Sequence, residues 1–255
     1  MGFIQAIVAC AIAIHPSVAE LGSSQNTGCL QRYVCNPANP APFDPDKLTI
    51  VCTHGWNPLP RRVRLTTPQA YAQAICNRCG DRVNVFGFDW NAGTFVSLNG
   101  KVNSQNAVCK GRQMARELVQ MGVRPENTWL IGHSLGALLV SGAANELGKQ
   151  QPIARLTLLD AVRVQHGKIF GELDVRCHAR CVENYFAALP SGFGKRSRYP
   201  GVYNQLVRGK SPIRGALNPA RGNHAHVVEW SGTTTRSAIR AFWMVLIDRL
   251  LVYRL

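Results

Sequence analysis

Thr128-Trp129-Leu130-Ile131-Gly132-His133-Ser134-Leu135-Gly136 runs directly into Ala137-Leu138-Leu139-Val140-Ser141-Gly142-Ala143-Ala144. The first half opens with a short apolar run bounded by glycine. The second is a small-residue, helix-compatible run. Between them, Gly132-x-Ser134-x-Gly136 reads as a strand, a sharp turn and a helix, a context that lifts a serine Oγ above the edge of a parallel sheet. A side chain at Gly132 or Gly136 would crowd so tight a turn. A bare G-x-S-x-G says little; the two flanks make Ser134 a candidate nucleophile.

Working outward, Pro125-Glu126-Asn127 turns into this strand. Before it, a helix is predicted from about Ser104 to Met121, with Ala107, Val108, Met114, Ala115, Leu118 and Val119 as apolar positions. Leu48–Cys52 and Val83–Phe88 read as buried strands, ending at His54-Gly55-Trp56-Asn57-Pro58 and Asp89-Trp90. Thr67-Pro68 opens a helix through Cys76. Downstream, the helix after Ser134 is expected to end at Leu147, with Gly148 as its C-cap. Leu156–Leu159 is a further strand ending at Asp160. Residues 165–223 read as loop-rich and basic. Val227–Trp230 begins a last segment, and Ser237–Leu255 reads as a terminal helix whose Phe242, Trp243, Val245, Leu246 and Leu250 form a broad apolar face. Strands alternating with helices predict a mainly parallel central sheet with helices on both faces. Chemistry in such sheets gathers at the carboxyl ends of strands, here His54-Gly55-Trp56, Ser134 and Asp160.

A serine hydroxyl is a weak nucleophile at neutral pH and needs a base, which a carboxylate must orient. On this kind of sheet the chain order is serine, acid, histidine. Asp160 is the predicted acid, with Asp174 as the alternative. The base should come late, and Asn223-His224-Ala225-His226 offers two candidates, of which His224 is preferred. His133 adjoins Ser134 too closely to be the base and is expected to pack beneath the turn. His166 and His178 are expected to be structural or exposed. Stabilising the developing oxyanion takes backbone N–H groups. Leu135, after the serine, supplies one; Trp56, in the loop after an earlier strand, is the expected second. Such a constellation requires neither a metal nor an organic cofactor.

The chain has 255 residues, hydrophobic content of 46% and nine cysteines, which fits one globular domain over residues 20–255. Residues 3–14 are apolar apart from Gln5, no charge precedes Glu20, and Ser17-Val18-Ala19 offers small residues where a signal peptidase cuts. Residues 1–19 are therefore expected to be a secretory signal and the protein to be secreted or periplasmic. Eight cysteines then remain, an even number that reads as disulfides in an exported chain, with Cys29–Cys35 and Cys177–Cys181 as local staples. Cys76-x-x-Cys79 has no matching second pair, which favours disulfide over zinc. Lys and Arg number 29 against 14 acidic residues, and between Arg163 and Arg221 eleven basic residues face three acidic ones. That surplus suits an anionic lipid or envelope surface. Nucleic acid is not an expected partner, because no helix-turn-helix, zinc-finger or RNA-binding signature is present.

Four stretches carry a family likeness: Ile50-Val51-Cys52-Thr53-His54-Gly55-Trp56, Val85-Phe86-Gly87-Phe88-Asp89-Trp90, Gly122–Asn127 leading into Gly132–Ala137, and Leu158-Leu159-Asp160-Ala161. They resemble the pancreatic-lipase-like branch of the α/β-hydrolases over about residues 48–162. His224, Val227 and Trp230 are similar to that family's base segment, which again favours His224. Two positions depart from the family pattern: Leu138 stands where it has histidine, and Ala161 where it has proline. The resemblance implies an α/β-hydrolase fold and hydrolysis of neutral-lipid or phospholipid esters. Two other functions suit the same residues: an acyltransferase or polymer esterase on the same triad, and a non-catalytic lipid- or envelope-binding protein.

Overall fold

In a computed structural model of the chain, the residues described are 29–55, 68–90, 100–162, 164–165, 168–169, 173–187, 194–207 and Val227. The expected signal segment and the expected terminal helix lie outside them. The chain builds β1 (Cys29–Tyr33), β2 (Leu48–Thr53), α1 (Pro68–Cys79), β3 (Val83–Asp89), α2 (Gly100–Gln120), β4 (Thr128–His133), α3 (Leu135–Leu147) and β5 (Ile153–Leu159). A small hairpin follows, β6 (Val164–Gln165) with β7 (Lys168–Ile169), and then β8 (Ala179–Ala187) and β9 (Tyr203–Val207). The main sheet has seven strands in the order β1-β3-β2-β4-β5-β8-β9. Only β1 runs antiparallel to its neighbour; every other pairing in that sheet is parallel.

Alternation along the strands explains why both faces must be covered. Val51, Phe86, Phe88, Leu130, Leu156 and Leu158 point to one face, where they pack with Met114, Ala115 and Leu118 of α2 and Leu138, Leu139 and Val140 of α3. Ile50, Cys52, Val85, Trp129, Ile131 and Leu159 point to the other, against Tyr71, Ala72 and Ile75 of α1. Val227 is buried in this second cluster, which also holds Leu159, Tyr185 and Ala187. Helix α3 is buried along nearly its whole length, as its Gly/Ala/Leu-rich sequence requires of a helix apolar all round. Gly148 does end it, but at φ −78°; a Cβ there would meet the His178 carbonyl oxygen at 2.5 Å, so lack of space rather than a left-handed backbone explains the glycine. These layers are the α/β-hydrolase fold read from the sequence. No helix among the described residues is long and apolar enough to cross a membrane.

Besides the short β7, two strands of the main sheet arise where the sequence reads as loop. β8 and β9 lie inside the stretch 165–223. The alternation of β8 is hidden because it buries Glu183 and Asn184. Arg155 Nη1 lies 3.3 Å from Glu183 Oε1, Thr157 Oγ1 donates to Glu183 Oε2 at 3.0 Å, and Trp129 Nε1 donates to Thr157 Oγ1 at 2.9 Å. The Asn184 amide donates to the Lys195 carbonyl and to Asn204 Oδ1. Charge pairing and hydrogen bonding make such burial tolerable, and removing one partner of a buried ion pair costs about 3–5 kcal/mol.

The cysteines correct the sequence reading. Cys35 is bridged to Cys76 of α1, not to Cys29, with Cα atoms 4.7 Å apart. Cys29 opens β1, whose five extended residues carry the chain roughly 13 Å away before Cys35 bends over α1. No bridge joins Cys177 to Cys181 either, and Cys52 and Cys79 are buried thiols. Burial in apolar surroundings pushes both buried thiols up from the ordinary cysteine range. Iodoacetamide on the native protein should therefore alkylate Cys109 and Cys177, both exposed, and spare Cys52 and Cys79 until denaturant is added, as read by peptide mass spectrometry. Fast modification of Cys52 without denaturant would contradict this packing.

Candidate active site

The strand β4 ends at His133 and α3 starts at Leu135, so the whole reversal falls on Ser134. Its backbone sits at φ 57° and ψ −121°, a strained conformation for a side-chain-bearing residue. Close approach allows the turn. A Cβ on Gly132 would strike the Gly136 carbonyl and lie 2.7 Å from Val140 Cγ2, and one on Gly136 would strike the His54 carbonyl. Above the turn, a Cβ on Gly55 would lie 2.6 Å from Ser134 Cβ and 3.2 Å from its Oγ. The HisGly loop after β2 thus rests directly on the serine side chain, which is 7% exposed.

Asp160 is built the same way. It follows β5 as Ser134 follows β4, and His133 is paired with Leu159 in the register. Ser134 and Asp160 (φ 43°) are the two non-glycine residues with positive φ among those described. The Ser134 N–H donates to the Leu159 carbonyl at 2.9 Å, and the Val162 N–H donates to the Ser134 carbonyl at 3.4 Å. Residues on both sides of Asp160 are therefore tied to the serine backbone. The Asp160 N–H donates to the Tyr185 carbonyl at 2.7 Å, and its Oδ1 accepts the Ala187 N–H at 2.8 Å. Its side chain is fully buried, and a Cβ on Gly194 would overlap Oδ1.

Asp174, the alternative acid, lies apart from Ser134 and Asp160. Asp174 precedes β8 at the far end of the sheet and is exposed. The Arg176 guanidinium donates to both its oxygens, at 2.9 and 2.7 Å, and holds its carboxyl down to about 2. His178 lies at that same far end, its carbonyl accepting the Ile153 N–H. His133 is buried in the last position of β4, as expected. Leu135 is the first residue of α3, where helical N–H groups have no partner within the helix and the helix dipole favours negative charge. Trp56, His224, His226 and His166 lie outside the described residues.

Two contributors went unassigned in the sequence. Gly194 seals Asp160 from within a basic loop, where no local pattern marks it. The other is the Asp89-Trp90 pair at the end of β3, which the sequence places at a strand end and the structure packs on His54.

The sheet order and the two strained strand ends settle the fold as that of the α/β-hydrolases. No family model matches the chain. Over 84 residues, the chain is 36% identical to pancreatic lipase-related protein 2 of Bos taurus, a match spanning 31% of this chain and 17% of that protein's length. Among solved structures, a sugar hydrolase from Lactococcus lactis shares 11% identity over 82% of this chain and 95% of its own, with a TM-score of 0.47. A phospholipase/carboxylesterase from Dyadobacter fermentans shares 10% identity over 72% and 88%, with a TM-score of 0.45.

Proposed function

We propose that this protein is an exported serine hydrolase that cleaves lipid-type carboxylic esters through Ser134, Asp160 and His224. The observation that carries the reading is the strained Ser134 turn at the head of α3, tied by backbone hydrogen bonds to the residues flanking buried Asp160. Its partial likeness to a pancreatic lipase-related protein points to the same chemistry. Val227 keeps both His224 and His226 within reach of this edge, and the likeness of His224, Val227 and Trp230 to the lipase base segment favours His224. Val227, three residues after His224, is buried in the same apolar cluster as Leu159 and Ala187, which flank or bond Asp160, and three residues span at most about 11 Å.

In this mechanism His224 takes the Ser134 hydroxyl proton as Oγ attacks the ester carbonyl carbon. Asp160 holds the imidazole in the required tautomer and steadies its positive charge. The N–H groups of Leu135 and Trp56 receive the oxyanion. The tetrahedral intermediate collapses, the C–O bond to the alcohol breaks, and His224 returns the proton to the departing oxygen. Water, deprotonated by His224, then attacks the acyl-enzyme and releases the acid and Ser134. A panel of p-nitrophenyl esters and phospholipids, run with Ser134→Ala beside wild type, tests the reading: free fatty acid should appear with wild type alone. Equal release by both proteins would sink it.

The basic surplus bears on the partner. Directly after Gly194, which seals Asp160, come the exposed Lys195, Arg196 and Arg198. The Arg176 and Arg198 guanidinium groups lie 5.1 and 5.0 Å from the Tyr199 ring centroid, so the ridge runs from the Asp160 edge toward the Asp174 end of the sheet. The proposed substrate surface is an anionic ester lipid. Vesicles containing phosphatidylglycerol should bind about tenfold more tightly than pure phosphatidylcholine, and the difference should collapse in roughly 0.5 M salt. Salt-insensitive binding, equal for both vesicles, would refute the electrostatic part.

A further inference from the structure

Asn184, within β8, is fully buried, and a buried amide needs hydrogen-bond partners. It finds them in the crossing that leads to β9. Its Nδ2 donates to the Lys195 carbonyl at 2.9 Å and to Asn204 Oδ1 at 2.8 Å, one bond for each hydrogen of that nitrogen. Asn204, its neighbour in the β8–β9 register, passes the tie on. Its Oδ1 also accepts the Ser197 N–H at 2.7 Å, and its Nδ2 donates to the Val202 carbonyl at 3.0 Å. One buried side chain thus latches this stretch of the crossing to the sheet. Next to the latched Lys195 is Gly194, whose missing Cβ leaves the room that Asp160 Oδ1 occupies. A Cβ there would also lie 2.8 Å from Asp160 Cγ.

We infer that Asn184 is a positioning residue for the catalytic acid, acting through the Gly194-Lys195 segment that it latches over Asp160. This rests on the ester-hydrolase reading above, in which Asp160 orients the base. A carboxylate orients an imidazole only while it keeps one rotation about its Cβ–Cγ bond. That torsion is intrinsically broad for aspartate, so contacts must set it. Oδ1 has two of them, the Ala187 N–H at 2.8 Å and the backbone of Gly194. The first is supplied by the end of β8 itself. The second lies in the crossing and is held in place by Asn184. Without the latch, Gly194 can lift, water can reach Oδ1, and the carboxylate can turn. Asn184 acts on the acid and not on the substrate, so its loss should appear in the chemical step and not in ground-state binding.

The test uses the full chain, a short p-nitrophenyl ester and a double-mutant cycle with Asp160→Asn. Asn184→Leu keeps the branched shape and loses both donors. It should lower kcat about thirtyfold with KM within about twofold, since a small misplacement of a catalytic group costs up to about a hundredfold. Gly194→Ala drives a methyl group against Oδ1 and should cost about a hundredfold in kcat. Asn204→Ala, at a partly exposed position, removes the acceptor that orients the Asn184 amide and should cost about tenfold. In the Asp160→Asn background each of the three should cost less than about threefold, because residues that act as a unit are not additive. A latch that only steadied the crossing would cost the same factor in both backgrounds. Asn204→Ala and Gly194→Ala decide the matter if Asn184→Leu does not fold. Folded variants with wild-type kcat, or equal losses in the two backgrounds, overturn this inference alone. A wild-type protein that turns over no ester overturns this inference and the hydrolase reading together.

Discussion

Ser134→Ala is expected to lower ester turnover by roughly 10⁴–10⁶-fold while leaving the folded protein intact, because the base and acid have no other nucleophile to serve. Stability should barely change. Alanine meets the same strained backbone at φ 57° as serine does, and Ser134 makes its backbone hydrogen bonds to Leu159 and Val162 without its side chain. Glycine at the same position separates the two effects. It should be equally inactive yet more stable, by about 1 kcal/mol, since the positive φ costs it nothing. Activity of both variants in the ester assay and their thermal midpoints check this together. A residual rate above a hundredth of wild type would mean the serine is not the nucleophile.

Asp160→Asn should lower kcat by about 10⁴-fold, the effect of holding the catalytic imidazole in the wrong tautomer. The substitution is nearly isosteric, and the asparagine oxygen can still accept the Ala187 N–H, so the fold should survive. Asp174→Asn is the control. That carboxylate is exposed at the opposite end of the sheet and occupied by Arg176, so its loss should leave kcat within about twofold of wild type. Reversal of the two results would move the acid to Asp174 and break the proposed site.

The parts of this molecule that were legible in its sequence are those where one physical rule dominates. Leu48–Thr53, Val83–Asp89 and Thr128–His133 are apolar strands buried on both faces, and their composition alone announces them. The Ser134 turn is legible because only glycine fits at positions 132 and 136. Asp160's place beside Ser134 is legible because a strand end on the neighbouring strand must share the serine's sheet edge. β8 is illegible because its buried Glu183 and Asn184 are satisfied by Arg155, Thr157, Lys195 and Asn204, partners from distant parts of the chain. β1 hides for a different reason: it is an edge strand with Leu30 its one fully buried residue among those whose burial is described, set in a lead-in rich in Asn and Pro. The disulfide is not legible, because nearness in sequence suggests Cys29, whereas strand β1 carries the chain away from Cys29 before Cys35 meets Cys76 of α1. The packing of Trp90 on His54 has a sequence trace, two strand ends facing one another, but its geometry depends on the β2–β3 pairing.

The most direct measurement of the central claim is the site of covalent capture by a fluorophosphonate. The account predicts one adduct, on the peptide containing Ser134, formed by the native protein, absent after heat denaturation and absent in Ser134→Ala. An adduct on another residue, or labelling undiminished in Ser134→Ala, would contradict it.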